Sequence, residues 1–437
     1  VVEKRSIGIG LMGLGVVGSG VAGTILDKNK ALARETGCPL VLRRVLVRDT
    51  SRPRAVSLPP DLITADPQAI LTDPDIDIVV EVIGGEHPAL DYIKQALGVG
   101  KSVVTANKEV MAKHGWELLE TAERKAVDLL YEASVGGGIP LLLPLKHGLP
   151  ANDISAIHAI INGTTNYILT KMSAEGVGFS DALRQAQQLG YAEADPTSDV
   201  EGLDARYKLA VLATAAFHTR VHPDDIYCQG ITRLGERDFR YARELGYEIK
   251  LLAIAEKTGN SIEVRVHPAL IPAEFLLAKV VGVYNAIQVE GDLVGKVLFY
   301  GEGAGSLPTS SAITADIIAA ARDILQGKAG KARSHAISGQ LPPALTIKPI
   351  ADLETRYYLR MSIADRPGVL AQIAKVLGDS SISIASVIQK EADEATQTAE
   401  IVIMTHPARE QHMHRALELM QKLPIVSQIS NFIRVEG

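Results

Sequence analysis

Residues 190–210 read GYAEADPTSDVEGLDARYKLA, with acids at Glu193, Asp195, Asp199, Glu201 and Asp204 before Arg206 and Lys208. Asp195-Pro196 breaks any helix, and Ser198 or Asp199 can cap the next one, expected to run to about Phe217. On that helix Val200, Leu203, Tyr207, Val211 and Thr214 are spaced as one buried stripe. Asp204 and Lys208 then lie at the stripe's edge and, four apart, share a face. On an open helix such a pair does no chemistry and contributes roughly a few tenths of a kcal/mol. Here the helix is otherwise apolar, and the acids upstream have no cationic neighbour in sequence. A ligand ammonium would supply that charge. Glu193 and Asp204 could hold it while Lys208, kept protonated by carboxylates, donates a proton.

Such groups need a scaffold, and the first 140 residues describe one. Ser6–Met12 is a short apolar run, GLGVVG follows at Gly13–Gly18, and a segment of helical spacing ends at Gly37. A GxGxxG between strand and helix is the context of a dinucleotide-binding turn. Gly13 permits the tight turn, Gly15 the approach of a pyrophosphate, and Gly18 close helix–strand packing. Leu14, Val16 and Val17 complete the turn, and the helix N-terminus offers N–H groups to the phosphates. Strand-like runs recur at 39–48, 76–85, 101–107 and 127–134, separated by helix-like segments at 66–72, 87–98 and 110–124. The alternation predicts an α/β, Rossmann-type doubly wound parallel sheet. Gly84, Asn107, Lys108 and Glu132 fall at strand C-terminal ends, where such sheets bind ligands. Strand two ends with Arg48 and then Asp49, with Arg52 and Arg54 behind. Arginines favour the 2′-phosphate of NADP(H), whereas Asp49 would favour NAD(H); NADP(H) is the preferred reading.

Bulk properties narrow the class. The chain has 437 residues, 46% hydrophobic and 22% charged, with a net charge of -6 and a single Trp. That is a multidomain globular composition, with no basic surface for nucleic acid or an anionic membrane. Cys38 and Cys228 are isolated, as expected of free thiols in a reducing cytoplasm. The N-terminal VVEKRSIGIGLMG carries no signal or anchor pattern, so a cytoplasmic location and a monofunctional chain are expected. At 162–166, NGTTN lies between a strand-like run and a helix. Its Thr and Asn residues, Thr164 among them, could cap the helix or help hold a substrate carboxylate; both readings stay open.

Taken together, GLGVVG, TANKE (105–109), YEASVGGGIP (131–140), NGTTNYI, the 190–209 block and GEGAG (301–305) resemble homoserine dehydrogenase. The resemblance implies NAD(P)H-dependent interconversion of L-aspartate 4-semialdehyde and L-homoserine, in the biosynthesis of threonine, methionine and isoleucine. It implies Lys208 and Lys108 as the catalytic lysines, and Glu193, Asp204, Asp199 and Thr164 as substrate ligands. Gly190 and Gly303 match backbone positions lining the cofactor. The YEASVGGGIP loop matches a structural sodium or potassium site formed by Glu132 and the main-chain carbonyls of Val135, Gly137 and Ile139; oxygen donors suit a hard cation.

A connector is expected at 328–356, and the tail, 357–437, reads βαββαβ. This predicts a ferredoxin-like antiparallel sheet with both helices on one face. It resembles an ACT domain, with DRPGVL as the turn into its first helix. The resemblance implies a threonine effector near Asp365, Gly368, Val369 and Leu370; a purely structural, dimerising role is the alternative. The resulting organisation is a dinucleotide domain over 1–140, rejoined near 300–325, an α+β catalytic and dimerisation domain over 141–327, and the tail. A homodimer or homotetramer is expected, because an ACT sheet leaves an edge to cover. A phosphorylating semialdehyde dehydrogenase would need an activated thiolate, which neither cysteine's setting provides. A hydroxy-acid dehydrogenase would need an Arg/His/acid set, and an NADPH-binding sensor would show no turnover.

Overall fold

The computed structural model describes residues 5–330, 344–393 and 397–437. Much of the expected connector at 328–356, and residues 1–4, therefore lie outside the described residues. The described chain forms two units, one within 1–154, 207–224 and 290–345, the other within 155–206, 225–289 and 346–437.

In the first unit the strands are β1 (Ile7–Met12), β2 (Leu40–Leu46), β3 (Ile63–Thr64), β4 (Ile78–Glu81), β5 (Ser102–Thr105) and β6 (Leu129–Leu130). They pair in parallel in the order β3-β2-β1-β4-β5-β6, the reversing order of a doubly wound sheet. All six residues of β1 are buried, as an apolar run covered on both faces requires. The helices are α1 (Val16–Asp27), α2 (Asn29–Thr36), α3 (Gln68–Leu71), α4 (Ala89–Gly98) and α5 (Lys108–Lys125). The single helix expected up to Gly37 is instead two, divided at Lys28, and Gly37 ends the second at φ 88°. The helix Ser306–Leu325 packs on α1, burying Ile313, Ile317 and Ala320 in the same core as Val21 and Ile25.

The second unit is built on β7 (Ile154–Ile160), α6 (Gly163–Glu175), α7 (Phe179–Gln188) and α8 (Thr197–Val200). After α8 the helix α9 (Leu203–Phe217) gives its first turn to this unit and its remainder to the first. Then come β8 (Tyr227–Cys228), α10 (Glu236–Glu244), β9 (Tyr247–Thr258), β10 (Ser261–Pro272) and β11 (Tyr284–Gly291). The helix predicted to run unbroken from Ser198 or Asp199 is interrupted by Gly202, which adopts φ 81°. The predicted stripe is also corrected. Leu203, Tyr207 and Thr214 are only half-buried, whereas Asp204, Ala205, Leu209, Leu212 and Ala213 are buried. A helix so rich in alanine is apolar nearly all round, and periodicity could not say which side would face inward.

The tail supplies the strands Glu354–Ala364, Ile384–Asp393, Thr398–Thr405 and Val426–Val435, with helices Val369–Asp379 and Glu410–Gln421. The strands pair antiparallel. Tyr357, Leu359, Met361 and Ile363 alternate into a core shared with Ile373, Leu377, Met413 and Met420. The tail's sheet does not stand alone. Its last strand pairs in parallel with β10, Ala269 opposite Arg434 and Leu270 opposite Val435, so both sheets are one. Buried ion pairs close the seam. Arg360 reaches across it to Asp238 at 2.7 Å, and Arg265 to Glu436 at 3.1 Å.

Candidate active site

The glycine turn opens a crevice of about 610 Å³ at the strand ends, lined by Gly13, Leu14, Gly15, Arg48, Asp49 and Gly84 among others. Gly13 has φ 105°, and a Cβ there would come 2.9 Å from the Val82 carbonyl oxygen. A Cβ on Gly18 would overlap the Gly13 carbonyl, whereas one on Gly15 would meet nothing within 4 Å. Gly15 thus faces open space that a side chain would fill, and no side chain caps α1. Both features fit a pyrophosphate seated on free helix N–H groups. Val16 is exposed and Val17 half-buried, and their carbonyls accept from Ser306 at 2.9 Å and Ser310 at 3.4 Å.

At the crevice rim the Asp49 carboxylate accepts from the backbone N–H and hydroxyl of Ser51, at 2.9 and 2.6 Å. Those bonds hold its pKa below the usual carboxylate value. Arg54 donates to the carbonyls of Leu14 and Asp49, stitching the glycine turn to the loop after β2. All three expected arginines, Arg48, Arg52 and Arg54, line the crevice, with Arg54 also engaged by backbone.

Behind the crevice Glu81 is fully buried. It accepts from the Ile83 N–H at 2.7 Å and the Thr105 hydroxyl at 2.6 Å, and burial pushes its carboxyl pKa up. Thr105 in turn accepts from the Asn107 N–H at 3.0 Å. Asn107 caps α5 by accepting from the Val110 N–H, and donates to the Gly85 carbonyl at 2.7 Å. Lys108 is therefore the first residue of a helix whose start is fixed from three directions. Further along α5, Lys113 pairs with Glu86 and Glu109, each at 2.7 Å, and lies 5.6 Å over the Tyr207 ring. Lys113 and His114 together hold Glu86 down to about 2. The Tyr207 contact brings α5, which carries Lys108, against the α9 segment that carries Lys208. Both lysines are half-buried.

In the second unit Asn162 caps α6, its side-chain oxygen accepting from the Thr165 N–H at 2.8 Å. The same side chain's amide donates to Asp199 at 2.6 Å and Asp204 at 2.8 Å. Asp204 is buried and Asp199 half-buried. Of the acids in the run, these two converge. Glu193 is exposed, and its carbonyl accepts from Gln187. Asp195 accepts from the Thr197 hydroxyl and Glu201 from the Thr232 hydroxyl. The Thr164 hydroxyl donates to the Tyr191 carbonyl at 2.6 Å, tying α6 to the loop of Gly190, which has φ 77°.

In the 132–139 loop the Glu132 carboxylate accepts from the N–H groups of Leu141, Leu142 and Leu143. The main-chain oxygens of Val135, Gly137 and Ile139, expected as cation donors beside Glu132, are carried round a left-handed turn at Gly136 and Gly137. Gly137 abuts the Gly303 carbonyl so closely that a Cβ would overlap it, which places Gly303 behind this turn. In the tail, Gly368 has φ 85° and precedes a helix start with no side-chain cap; Val369 is buried and Leu370 exposed. The Asp365 N–H donates to the Gln397 carbonyl.

Glu81 and Lys113 were not singled out from sequence. The cap position of Asn162 was legible, but its reach to carboxylates 37 and 42 residues away was not. For Glu81 the signal was an acid ending an otherwise apolar strand.

Comparisons with known proteins follow this architecture. Residues 13–132 match the family model described as homoserine dehydrogenase, NAD binding domain, residues 140–318 that of homoserine dehydrogenase, and residues 357–425 that of the ACT domain. Homoserine dehydrogenase of Corynebacterium glutamicum is 43% identical across 99% of this chain and 96% of its own length. That of Neisseria gonorrhoeae is 42% identical across 99% of both. The crystal structure of a homoserine dehydrogenase from Thiobacillus denitrificans matches with a TM-score of 0.92 at 41% identity, covering 99% of each chain. A hyperthermophilic archaeal homoserine dehydrogenase in complex with NADPH matches 72% of this chain and 97% of its own, with a TM-score of 0.61 at 28% identity. With relatives of one kind along its whole length, the chain belongs to the homoserine dehydrogenase family of oxidoreductases.

Proposed function

We propose that the chain interconverts L-aspartate 4-semialdehyde and L-homoserine with NADP(H), using Lys208 as proton donor and acceptor, assisted by Lys108. The observation that carries this reading is the Asn162 brace, which sets Asp199 and Asp204 side by side at the start of the helix bearing Lys208. Asp204, with Glu193 and the Thr164 turn, binds the substrate's amine end, and Asp199 supports it. Lys208 lies four residues on, about 6 Å along the helix. The nicotinamide, when bound, supplies the hydride chemistry at the substrate's terminal carbon. Lys208 neutralises the negative charge growing on the oxygen and supplies its proton, which it recovers in the reverse direction.

Arg48 and Arg52 at the rim, with Asp49 turned onto Ser51, support a preference for NADP(H). Paired NADH and NADPH rates test it. The main-chain oxygens of the 135–139 loop would hold sodium or potassium in a purely structural role. The ACT portion binds threonine at the Asp365–Leu370 turn, and the working form is a homodimer or homotetramer. Activity and melting titrations with threonine, and mass in solution, test these points.

The burial that pushes the Cys228 thiol up to about 11 argues against thioester chemistry there. Lys208→Ala is expected to lower kcat by about 10²-fold or more while NADPH still binds. Near-normal turnover would remove the role given to Lys208.

A further inference from the structure

Glu81 ends the apolar strand β4 and is fully buried. In the sheet register it stands between Met12, the last residue before the glycine turn, and Thr105, three residues before Lys108. Among the described residues its side chain only accepts. The Ile83 N–H donates to Oε1 at 2.7 Å and the Gly84 N–H to the same oxygen at 3.4 Å, while the Thr105 hydroxyl donates to Oε2 at 2.6 Å. Thr105 itself accepts from the Asn107 N–H, which leaves its own proton for Glu81. Donors on both oxygens suit a carboxylate, since a carboxylic acid would need an acceptor for its proton. Burial opposes that charge, and among the described residues no cation pairs with Glu81. Support for two backbone N–H groups alone requires no charge; a neutral amide would supply the acceptor without the desolvation that a buried carboxylate suffers.

The position suggests what the charge faces. A doubly wound sheet divides a dinucleotide between its two halves. The ends of β1 and β2 carry the glycine turn and Arg48, which leaves the ends of β4 and β5 to the nicotinamide half. Val82, Ile83 and Gly84, directly after Glu81, wall the crevice there.

We propose that the Glu81 carboxylate makes the crevice favour the oxidised cofactor, whose nicotinamide ring is a cation, over the reduced cofactor, whose ring is neutral. Its donors hold it behind the wall, and it acts on the ring's charge through space; it forms no bond and moves no proton. Salt screens such a buried interaction far less than a surface pair. The adenosine half is identical in both redox states, so the arginines at the rim do not produce the contrast. The inference rests on the nicotinamide reading of the crevice, and needs neither the NADP(H) preference nor the role given to Lys208.

The test is the pair of dissociation constants for NADP+ and NADPH, measured by calorimetry on the full chain without substrate. Glu81→Gln keeps an acceptor for Ile83 and removes the charge. Its NADP+ constant is expected to rise about 5-fold or more while its NADPH constant stays within about twofold. Glu81→Asp carries the charge on a shorter arm and should hold the ratio of the two constants within about twofold of that of the unaltered chain. It reports even where Glu81→Gln folds poorly. Equal weakening of both forms in Glu81→Gln, or no change in either, overturns the proposal, as does a ratio shifted about 5-fold in Glu81→Asp. Should the unaltered chain bind NAD+ and NADH but not the phosphorylated pair, the NADP(H) preference fails, and the same variants read with NAD+ and NADH decide the role of Glu81.

Discussion

Replacing Asn162 with alanine removes four interactions at once. They are the cap on α6, at 2.8 Å to the Thr165 N–H, a second acceptor contact to the Thr165 hydroxyl at 2.9 Å, and the donors to Asp199 and Asp204. Loss of an N-cap costs about 1 kcal/mol. Each hydrogen bond to a carboxylate contributes about 1.5–3 kcal/mol, and the figure belongs at the low end for half-exposed Asp199. The sum is a local destabilisation of about 4–6 kcal/mol, with the two carboxylates freed to repel each other. Homoserine oxidation followed by NADPH absorbance should then show KM raised about 10-fold or more, with the NADPH dissociation constant within about twofold, because the crevice lies on the other unit. Asn162→Asp separates the two roles. It retains a cap acceptor for Thr165 but sets a third carboxylate between Asp199 and Asp204. Its helix should hold while its homoserine KM rises at least as far. An Asn162→Ala enzyme with unchanged homoserine KM would refute the reasoning, as would an Asn162→Asp enzyme that matches the native one.

Other expectations follow from the same geometry. Gly15→Ala should fold with an unchanged melting temperature yet lose NADPH affinity by calorimetry, since its Cβ meets only the open crevice; Gly18→Ala should lose stability as well, because its Cβ overlaps the Gly13 carbonyl. Asp238 is fully buried and accepts from Arg360, Tyr358, Asn431 and Gly235. Asp238→Ala strands the Arg360 charge and should lower the opening free energy of strand 354–364, read by hydrogen exchange, by about 3–5 kcal/mol, with part recovered in Asp238→Ala/Arg360→Met. A Cys228 thiol at about 11 is about 0.1% thiolate at pH 8. Burial raises an acid by disfavouring its anion, so iodoacetamide labelling should climb about tenfold per pH unit towards pH 11; rapid labelling near neutrality would contradict the burial that sets it.

Much of the site's alphabet was readable along the chain. The GLGVVG turn and the cap position within NGTTN are local, and local rules governed them. The side to be buried on α9 was misread, because alanine on most faces gives no contrast for periodicity to detect. The role of Glu132 was read from a resemblance; that its carboxylate would also accept from three backbone N–H groups about ten residues downstream was not legible.

The sequence by itself determined the order and kind of the elements, since continuous apolar runs, glycine turns and capping residues act within a few residues of one another. Only the tertiary structure decided that Asn162 would gather Asp199 and Asp204, that Lys113 would meet Tyr207, and that the tail's last strand would join β10. These contacts join residues tens to hundreds of positions apart. Their geometry depends on how layers pack and where a chain turns, and no local pattern of residue types encodes that.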